Sequence, residues 1–157
     1  MFTILIVDYN RADRTGIQGL TDWDELGIKV VGLAIDGEDG YKQAMQLRPD
    51  FVLTDVAMPV KDGLKMTQKI KEELPETKFI FMSCFDDYDY LKSGINLEVY
   101  GYILKPIDLT ELTGSLRKVK QLKQQELEKH QSDEQLRKRI QESMPVLQVQ
   151  LIPNFMS

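Results

Sequence analysis

The stretch that decides the fold is PDFVLTDVAMP, at Pro49–Pro59. Its run Phe51–Thr54 does not alternate with charged residues, which indicates a strand buried on both faces. Strands of this kind occur in parallel sheets that are covered by helices on both sides. A carboxylate, Asp55, follows the run directly. The stretch therefore predicts an α/β fold in which an acidic side chain stands at the carboxyl end of an interior strand.

Four further apolar runs and several helical patterns surround this stretch. Each run is short enough for a strand and lacks polar alternation, so each is predicted to be a strand buried on both faces. The runs are Thr3–Val7, Lys29–Ala34, Lys78–Met82 and Tyr100–Leu104. Helices are predicted at Gly37–Leu47, Asp62–Leu74 and, from a short acidic pattern, Asp87–Gly94. Strands that alternate with helices predict a single β/α/β sandwich with right-handed crossovers.

A further helix is predicted after Pro106. Asp108 is a plausible N-cap, and Glu111 stands three residues later, as in a capping box. Apolar residues then repeat at steps of three and four, which predicts a helix that packs on the sheet. These residues are Leu109, Leu112, Leu116 and Val119.

The segment Lys120–Arg139 is rich in Lys, Gln and Glu, and its apolar residues do not sustain a heptad order. Two interpretations stay open: a solvated helical linker and a dimerising coiled coil. Pro145 is expected to end any helix that precedes it. The chain is therefore expected to hold one domain, at residues 1–120, and a helical extension, at residues 121–157.

Composition narrows the class of protein. The chain has 157 residues and a formal net charge of −5, and its share of hydrophobic residues, 42%, is ordinary for a globular protein. This net charge argues against nucleic-acid binding by the chain itself, because such binding needs a basic face. The lone cysteine, Cys84, cannot form an internal disulfide, which fits a reducing cytoplasm. The sequence has neither the basic start of a signal peptide nor about 20 consecutive apolar residues for a membrane span.

Polar residues stand at the ends of four of the predicted strands. In chain order they are Asp8, Asp55, Ser83 and Lys105. Because ligands bind beyond the carboxyl ends of strands in an open parallel sheet, we expect these side chains to converge at one edge. The set suits phosphoryl transfer to a carboxylate. Asp55 is then the nucleophile, Asp8 a ligand of Mg²⁺, and Lys105 and Ser83 the donors to phosphate oxygens.

Each residue of this set also has a structural explanation. Asp8 could be a turn or cap residue, Ser83 the cap of the following helix, and Lys105 a solvated loop charge. Their joint appearance at the ends of the first, third, fourth and fifth strands favours the functional interpretation.

From Met1 to about Lys120, the chain resembles the receiver domains of two-component response regulators. The resemblance rests on ILIVD at Ile4–Asp8, on DVAMP at Asp55–Pro59 followed by Asp62-Gly63-Leu64, on Ser83, and on YILKP at Tyr102–Pro106. It implies a flavodoxin-like (βα)5 sandwich, with a parallel sheet of order 2-1-3-4-5 and a C-terminal helical extension. It also implies a sensor histidine kinase as partner, with Asp55 as the phosphoacceptor.

The resemblance assigns roles to the remaining site residues. Lys105 is implied to contact the phosphoryl group, and Ser83 and Tyr102 are implied to be the switch hydroxyl and the switch aromatic residue. Ala57 is implied to offer its backbone carbonyl to Mg²⁺, beside Asp8 and Asp55. The expected dimer contact is either the helical extension or the face formed by the predicted helix Asp87–Gly94, the fifth strand and the helix after Pro106.

Three segments look like those of receivers that are joined to AraC-type helix-turn-helix domains. They are Trp23–Ile28, Cys84–Tyr90 and Gln141–Leu147. We therefore expect a cytoplasmic transcription regulator that contacts DNA only through a C-terminal domain outside this chain.

One departure from the family pattern puts phosphorylation in question. Receivers usually carry two adjacent acids after the first strand, whereas this chain has Asp8-Tyr9. Loss of a metal ligand is expected to weaken Mg²⁺ binding by at least roughly 10–100-fold unless Asp8 or Asn10 compensates. A tyrosine at position 9 could also lie over Asp55 and restrict access to it. The alternative function is a pseudo-receiver, which dimerises or binds a partner without phosphorylation.

A third hypothesis is a haloacid-dehalogenase-like phosphatase, which also uses an aspartate nucleophile after the first strand. Its Asp-x-Asp signature needs an acid where this chain has Asn10, and it leaves the residues around Asp55 unexplained. Beyond phosphorylation and dephosphorylation of its own Asp55, no enzyme activity is expected.

Overall fold

Five strands form one parallel sheet in the order β2-β1-β3-β4-β5. The structure, a computed structural model, describes residues 1–56, 58, 62–84 and 98–156, with backbone alone for 142–156. The strands are β1 Phe2–Val7, β2 Ile28–Ala34, β3 Phe51–Asp55, β4 Lys78–Ser83 and β5 Gly101–Leu104. The helices are α1 Arg11–Leu20, α2 Trp23–Leu26, α3 Gly37–Leu47, α4 Gly63–Glu73 and α5 Leu109–Met156. The predicted flavodoxin-like fold, its strand order and its C-terminal helix are confirmed.

Two apolar layers lie on the opposite faces of the sheet, because successive side chains of a strand point to opposite sides. On one face, Ile6, Leu53 and Ile103 pack with the buried residues of α1, α2 and the first turns of α5. On the other face, Val7 and Phe81 belong to the layer that α3 and α4 cover. The predicted apolar repeat of α5 is confirmed, since Leu112, Leu116 and Val119 are buried and Leu109 packs against them.

The interior strands are buried on both faces as predicted, but the two edge strands are not. Residues 4–7 of β1 and 79–83 of β4 are fully buried. In β5, by contrast, Tyr102 and Leu104 are exposed, and the middle of β2 is only partly buried. The prediction of full burial is wrong for β2 and β5, because an edge strand has a neighbour on one side only.

Side-chain caps fix where the helices begin. Asn10, Asp22, Asp36 and Asp62 each accept a hydrogen bond from a backbone N–H three residues later. Such a bond satisfies one of the donors that the first helical turn leaves unpaired. The bounds of α3 are those predicted, and α4 differs by one residue at each end because Asp62 and Leu74 are its caps. The predicted helix at Asp87–Gly94 lies outside the described residues.

The chain divides into two units, Met1–Lys120 and Gln121–Ser157. In the second unit, the described side chains from Gln124 to Gln141 are exposed. The expectation that Pro145 ends the helix is wrong, because α5 continues to Met156. A proline removes one backbone donor and strains the preceding turn, but the hydrogen bonds on either side of it can carry the helix onward. Among the described residues, no helix is long and apolar enough to cross a membrane.

Candidate functional site

Three of the predicted site residues lie on the same face of the sheet, the face that α1 covers. Ile6, Leu53 and Ile103 point to this face. Asp8, Asp55 and Lys105 each stand two residues further along the same three segments, so the alternation of side chains brings them to the same side. Asp55 is the last residue of β3, whereas Asp8 and Lys105 follow the ends of β1 and β5. The convergence expected from the sequence is therefore present for these three.

The ammonium of Lys105 lies at the centre of this group. Its Nζ donates to Oδ2 of Asp8 at 2.8 Å, to Oδ2 of Asp13 at 3.1 Å and to Oδ2 of Asp55 at 3.2 Å. Asp8 and Asp13 come from the segment that joins β1 to α1, and Asp55 comes from the end of β3. Three carboxylates around one ammonium give the group an excess of two formal negative charges.

The pKa of Lys105 is raised above its ordinary value. Burial acts to lower this pKa, but the hydrogen bond to Asp8, the charges of Asp55 and Asp8 and the hydrogen bond to Asp13 outweigh it. Because the folded-state pKa is the higher one, the ion pairs stabilise the fold fully below the ordinary value of 10.5. That stabilisation is lost only as the pH rises through the raised value. The lysine therefore stays charged throughout the physiological range.

Asp8 is held rigidly within the turn between β1 and α1. Its side chain is fully buried, and its Oδ1 accepts a hydrogen bond from the backbone N–H of Asn10 at 2.8 Å. Arg14 closes the same turn, because its guanidinium donates to the backbone oxygens of Asp8, at 2.6 Å, and of Tyr9, at 3.0 Å. One oxygen of Asp8 is thus used to hold the turn and the other faces Lys105.

Asp13 is the site residue that the sequence analysis missed. It stands in the first turn of α1, where Asn10 caps the helix by accepting from the backbone N–H of Asp13. That cap places Asp13 over the edge of the sheet, with its carboxylate on Lys105. An Asn followed three residues later by an acid is a recognisable helix start, and this signal could have placed Asp13 near Asp8.

Ser83 and Tyr102 belong to the opposite face of the sheet. Side chains alternate along β4, so Ser83 lies on the same face of the sheet as Phe81. The rings of Phe81 and Tyr102 pack edge to face, with 6.2 Å between their centroids. The hydroxyl of Ser83 is buried and has no hydrogen-bond partner within the described part of the chain. The tyrosine is 41% exposed. The backbone N–H of Lys105 donates to the backbone oxygen of Ser83 at 2.8 Å, whereas the Ser83 hydroxyl does not contact the Lys105 ammonium.

Two further residues named by the resemblance have separate outcomes. Tyr9 is 62% exposed, so its side chain points largely to solvent. Ala57 lies outside the described residues, and its predicted role as a metal ligand stays a prediction. Among described residues, no group of three or more His, Cys, Asp or Glu is arranged to hold a metal ion.

Gly63 fixes the start of α4 directly beside the end of β3. A Cβ on Gly63 would collide with the backbone oxygen of Asp55 and would stand 2.9 Å from the Cα of Val56. The backbone N–H of Gly63 also donates to the oxygen of Val56 at 2.7 Å. Only glycine permits this close approach, so the backbone around Asp55 depends on Gly63.

The fold and the acid–lysine group define a flavodoxin-like signalling domain, and comparison with known proteins agrees. The family described as response regulator receiver domain matches residues 4–117. The chain belongs to this family, as its motifs indicated.

The relatives include two transcriptional regulatory proteins and the solved receiver domain of a response regulator. The uncharacterized transcriptional regulatory protein YesN of Bacillus subtilis is 33% identical over 130 residues, which are 82% of this chain and 35% of YesN. The transcriptional regulatory protein HptR of Staphylococcus aureus is 33% identical over 71% of this chain and 44% of its own length. The solved receiver domain of AraT, a response regulator from Geobacillus stearothermophilus, has a TM-score of 0.77 and 35% identity, covering 80% of this chain and 98% of that one. The chain thus spans less than half the length of the curated relatives it matches.

Proposed function

We propose that this chain is the phosphorylation-controlled receiver of a transcription regulator, and that Asp55 accepts a phosphoryl group from a sensor histidine kinase. The observation that carries the proposal is the Lys105 ammonium, which bridges the carboxylates of Asp8 and Asp55 at the carboxyl edge of the sheet. A lysine between two acids at this position supplies positive charge where a transferred phosphoryl group would need it.

The chemistry requires no general base. A carboxylate oxygen of Asp55 attacks phosphorus, and the bond between phosphorus and the kinase imidazole nitrogen breaks. The electron pair of that bond returns to the imidazole, and the product is an acyl phosphate on Asp55. Lys105 donates a hydrogen bond to a phosphoryl oxygen. Ser83, whose buried hydroxyl lacks a partner among the described residues, donates to another after it moves inward.

The site residues suit a divalent cation in part. The carboxylates of Asp8 and Asp55 are both within hydrogen-bonding distance of one ammonium, and Mg²⁺ in proteins takes one or two carboxylates together with water and phosphate oxygens. We assign Asp8, Asp55 and the carbonyl of Ala57 as the residues that would hold it. When bound, Mg²⁺ would offset negative charge between these acids and the phosphoryl oxygens.

The output lies beyond this chain. We assign residues 1–120 as the receiver and residues 121–157 as a helical linker to a C-terminal DNA-binding domain. This assignment is supported by the relatives, which are two to three times longer than the matched region and are named as transcriptional regulatory proteins. Phosphorylation would favour a rearranged face that includes Tyr102, through contacts made only in the phosphorylated state. A homodimer through that face or through the helix is the expected partner state, and the protein is proposed to act in the cytoplasm.

The test is the intact mass of the chain after incubation with acetyl phosphate and Mg²⁺. The parent should gain one phosphoryl group and Asp55→Asn should gain none. Asp24→Asn removes the same charge from an exposed residue of α2 and should behave like the parent. A parent that gains no mass, even at high Mg²⁺, would overturn the proposal.

Tyr9 favours a second function, a pseudo-receiver that binds a partner without phosphorylation. Its side chain is exposed and brings no carboxylate to the site. The same mass measurement separates the two functions. Tyr9→Asp should raise the rate and lower the Mg²⁺ requirement if the missing acid is what limits phosphorylation.

A further inference from the structure

The ammonium of Lys105 has a carboxylate acceptor for each of its N–H donors. It has three N–H donors, and three carboxylate oxygens lie within 3.2 Å of its Nζ. A phosphoryl oxygen that binds Lys105 must therefore displace one of Asp8, Asp13 or Asp55. The acid that is displaced should be the one whose carboxylate is best solvated by water after its release.

The three acids differ in exposure to water. The side chain of Asp8 is fully buried, that of Asp55 is 13% exposed, and that of Asp13 is 38% exposed. Releasing a buried carboxylate from the ammonium costs more than releasing an exposed one, because water reaches the buried group less readily. Asp13 is the most exposed of the three and can turn to solvent when its hydrogen bond to Lys105 breaks.

We propose that Asp13 is the exchangeable partner of Lys105: it holds the ammonium in the resting site and yields its hydrogen bond to an incoming phosphoryl oxygen. This inference rests on the proposed phosphorylation of Asp55. Asp13 is a positioning residue, since it acts through Lys105 and does not touch the transferred group. Its negative charge also opposes the approach of an anionic phosphoryl donor.

Neutralising Asp13 should therefore speed phosphorylation. Asp13→Asn removes the competitor for Lys105 and one of the excess negative charges. Because the Asp13–Lys105 pair is partly exposed, the expected gain in rate is modest, roughly twofold to fivefold. Asp13→Glu keeps the charge and the reach, so it should return the rate towards that of the parent.

The experiment combines two readouts on the whole chain. The first is the rate of phosphoryl adduct formation with acetyl phosphate at saturating Mg²⁺, followed by intact mass. The second does not depend on phosphorylation: it is the extent of acetylation of Lys105 by a trace of acetic anhydride, relative to Lys42 of the same molecule. Lys42 is an exposed residue of α3 and serves as the internal reference. Asp24→Asn is the matched charge control, and thermal unfolding verifies that each variant is folded.

We expect Asp13→Asn to be phosphorylated faster and its Lys105 to be acetylated more, with Asp13→Glu and Asp24→Asn close to the parent. A phosphorylated parent with an unchanged or slower Asp13→Asn would overturn the inference and leave the proposed function standing. A slower variant that needs more Mg²⁺ would assign Asp13 to the cation instead. If no variant is phosphorylated while Lys105 of Asp13→Asn becomes more reactive, the contact is real but both the proposed function and the exchange are wrong.

Discussion

Replacing Lys105 by methionine should destabilise the fold, because it leaves three carboxylates without their shared cation. The methionine keeps the apolar stem of the side chain and removes only the ammonium. The side chain of Asp8 is fully buried and that of Asp55 is 13% exposed, so water replaces the lost hydrogen bonds of these two acids only poorly. Removing one partner of a buried ion pair costs about 3–5 kcal/mol.

The expected loss is somewhat smaller than that range. Lys105 is itself 12% exposed, and Asp13 can be solvated once it is released. We expect the free energy of unfolding to fall by about 2–4 kcal/mol in the absence of divalent cations. Addition of Mg²⁺ should recover part of this loss, since a cation that binds only the folded state stabilises it.

Urea unfolding monitored by the fluorescence of Trp23 measures this effect. Trp23 is the only tryptophan and packs against the core layer that contains Ile17 and Leu26. Lys42→Met is the matched control, because Lys42 forms an exposed pair with Glu38 and its loss should change stability by less than about 0.5 kcal/mol. A Lys105→Met chain that is as stable as the Lys42→Met chain would refute the view that the ammonium holds the acids together.

Three other predictions address the rest of the molecule. Gly63→Ala should lower the free energy of unfolding by about 1–3 kcal/mol and slow phosphorylation, because the added Cβ collides with the backbone oxygen of Asp55. Urea unfolding measures the first effect and intact mass the second, and an unchanged free energy of unfolding would contradict the close approach of the two backbones. Asp50→Ala should cost about 1–3 kcal/mol in the same unfolding assay, since its carboxylate accepts from the backbone and hydroxyl of Thr3 at 2.8 and 3.3 Å; a loss below the error of the assay would show those bonds to be unimportant. The pKa of the Tyr102 phenol should lie above the ordinary value of 10.0, because burial disfavours the phenolate; the phenol therefore stabilises the fold below pH 10, and that contribution is lost as the pH rises through the raised pKa. The ultraviolet titration curve of the parent minus that of Tyr102→Phe should have its midpoint above pH 10, and a midpoint at or below pH 10 would contradict the prediction.

The strands and helices of the receiver were largely predictable, because local signals set their bounds. The bounds of α3 follow from Asp36 at its start and Pro49 after its end, and those of α4 from Asp62 and Pro75. Burial of the edge strands was less predictable. A continuous apolar run in β5 does not reveal that the strand has one neighbour, which leaves Tyr102 exposed.

The site was predictable where it depends on strand ends and not where it depends on helix placement. Asp8 and Lys105 follow strands that the sequence locates well, so their convergence was expected. Asp13 stands five residues beyond Asp8, and its contact with Lys105 depends on the direction that α1 takes after the turn. That direction is set by packing of Ile17 on the sheet and by Arg14, which closes the turn. Neither is visible in the spacing of the acids.

The central claim is that Asp55 carries the phosphoryl group, and its most direct test is to locate the adduct. The chain is incubated with acetyl phosphate and Mg²⁺ and reduced with borohydride, which converts an aspartyl phosphate to homoserine. Peptide mass spectrometry then identifies the modified residue. The account predicts homoserine at position 55 and unmodified Asp8 and Asp13. Homoserine at either of those two positions, or at none of the three, would contradict it.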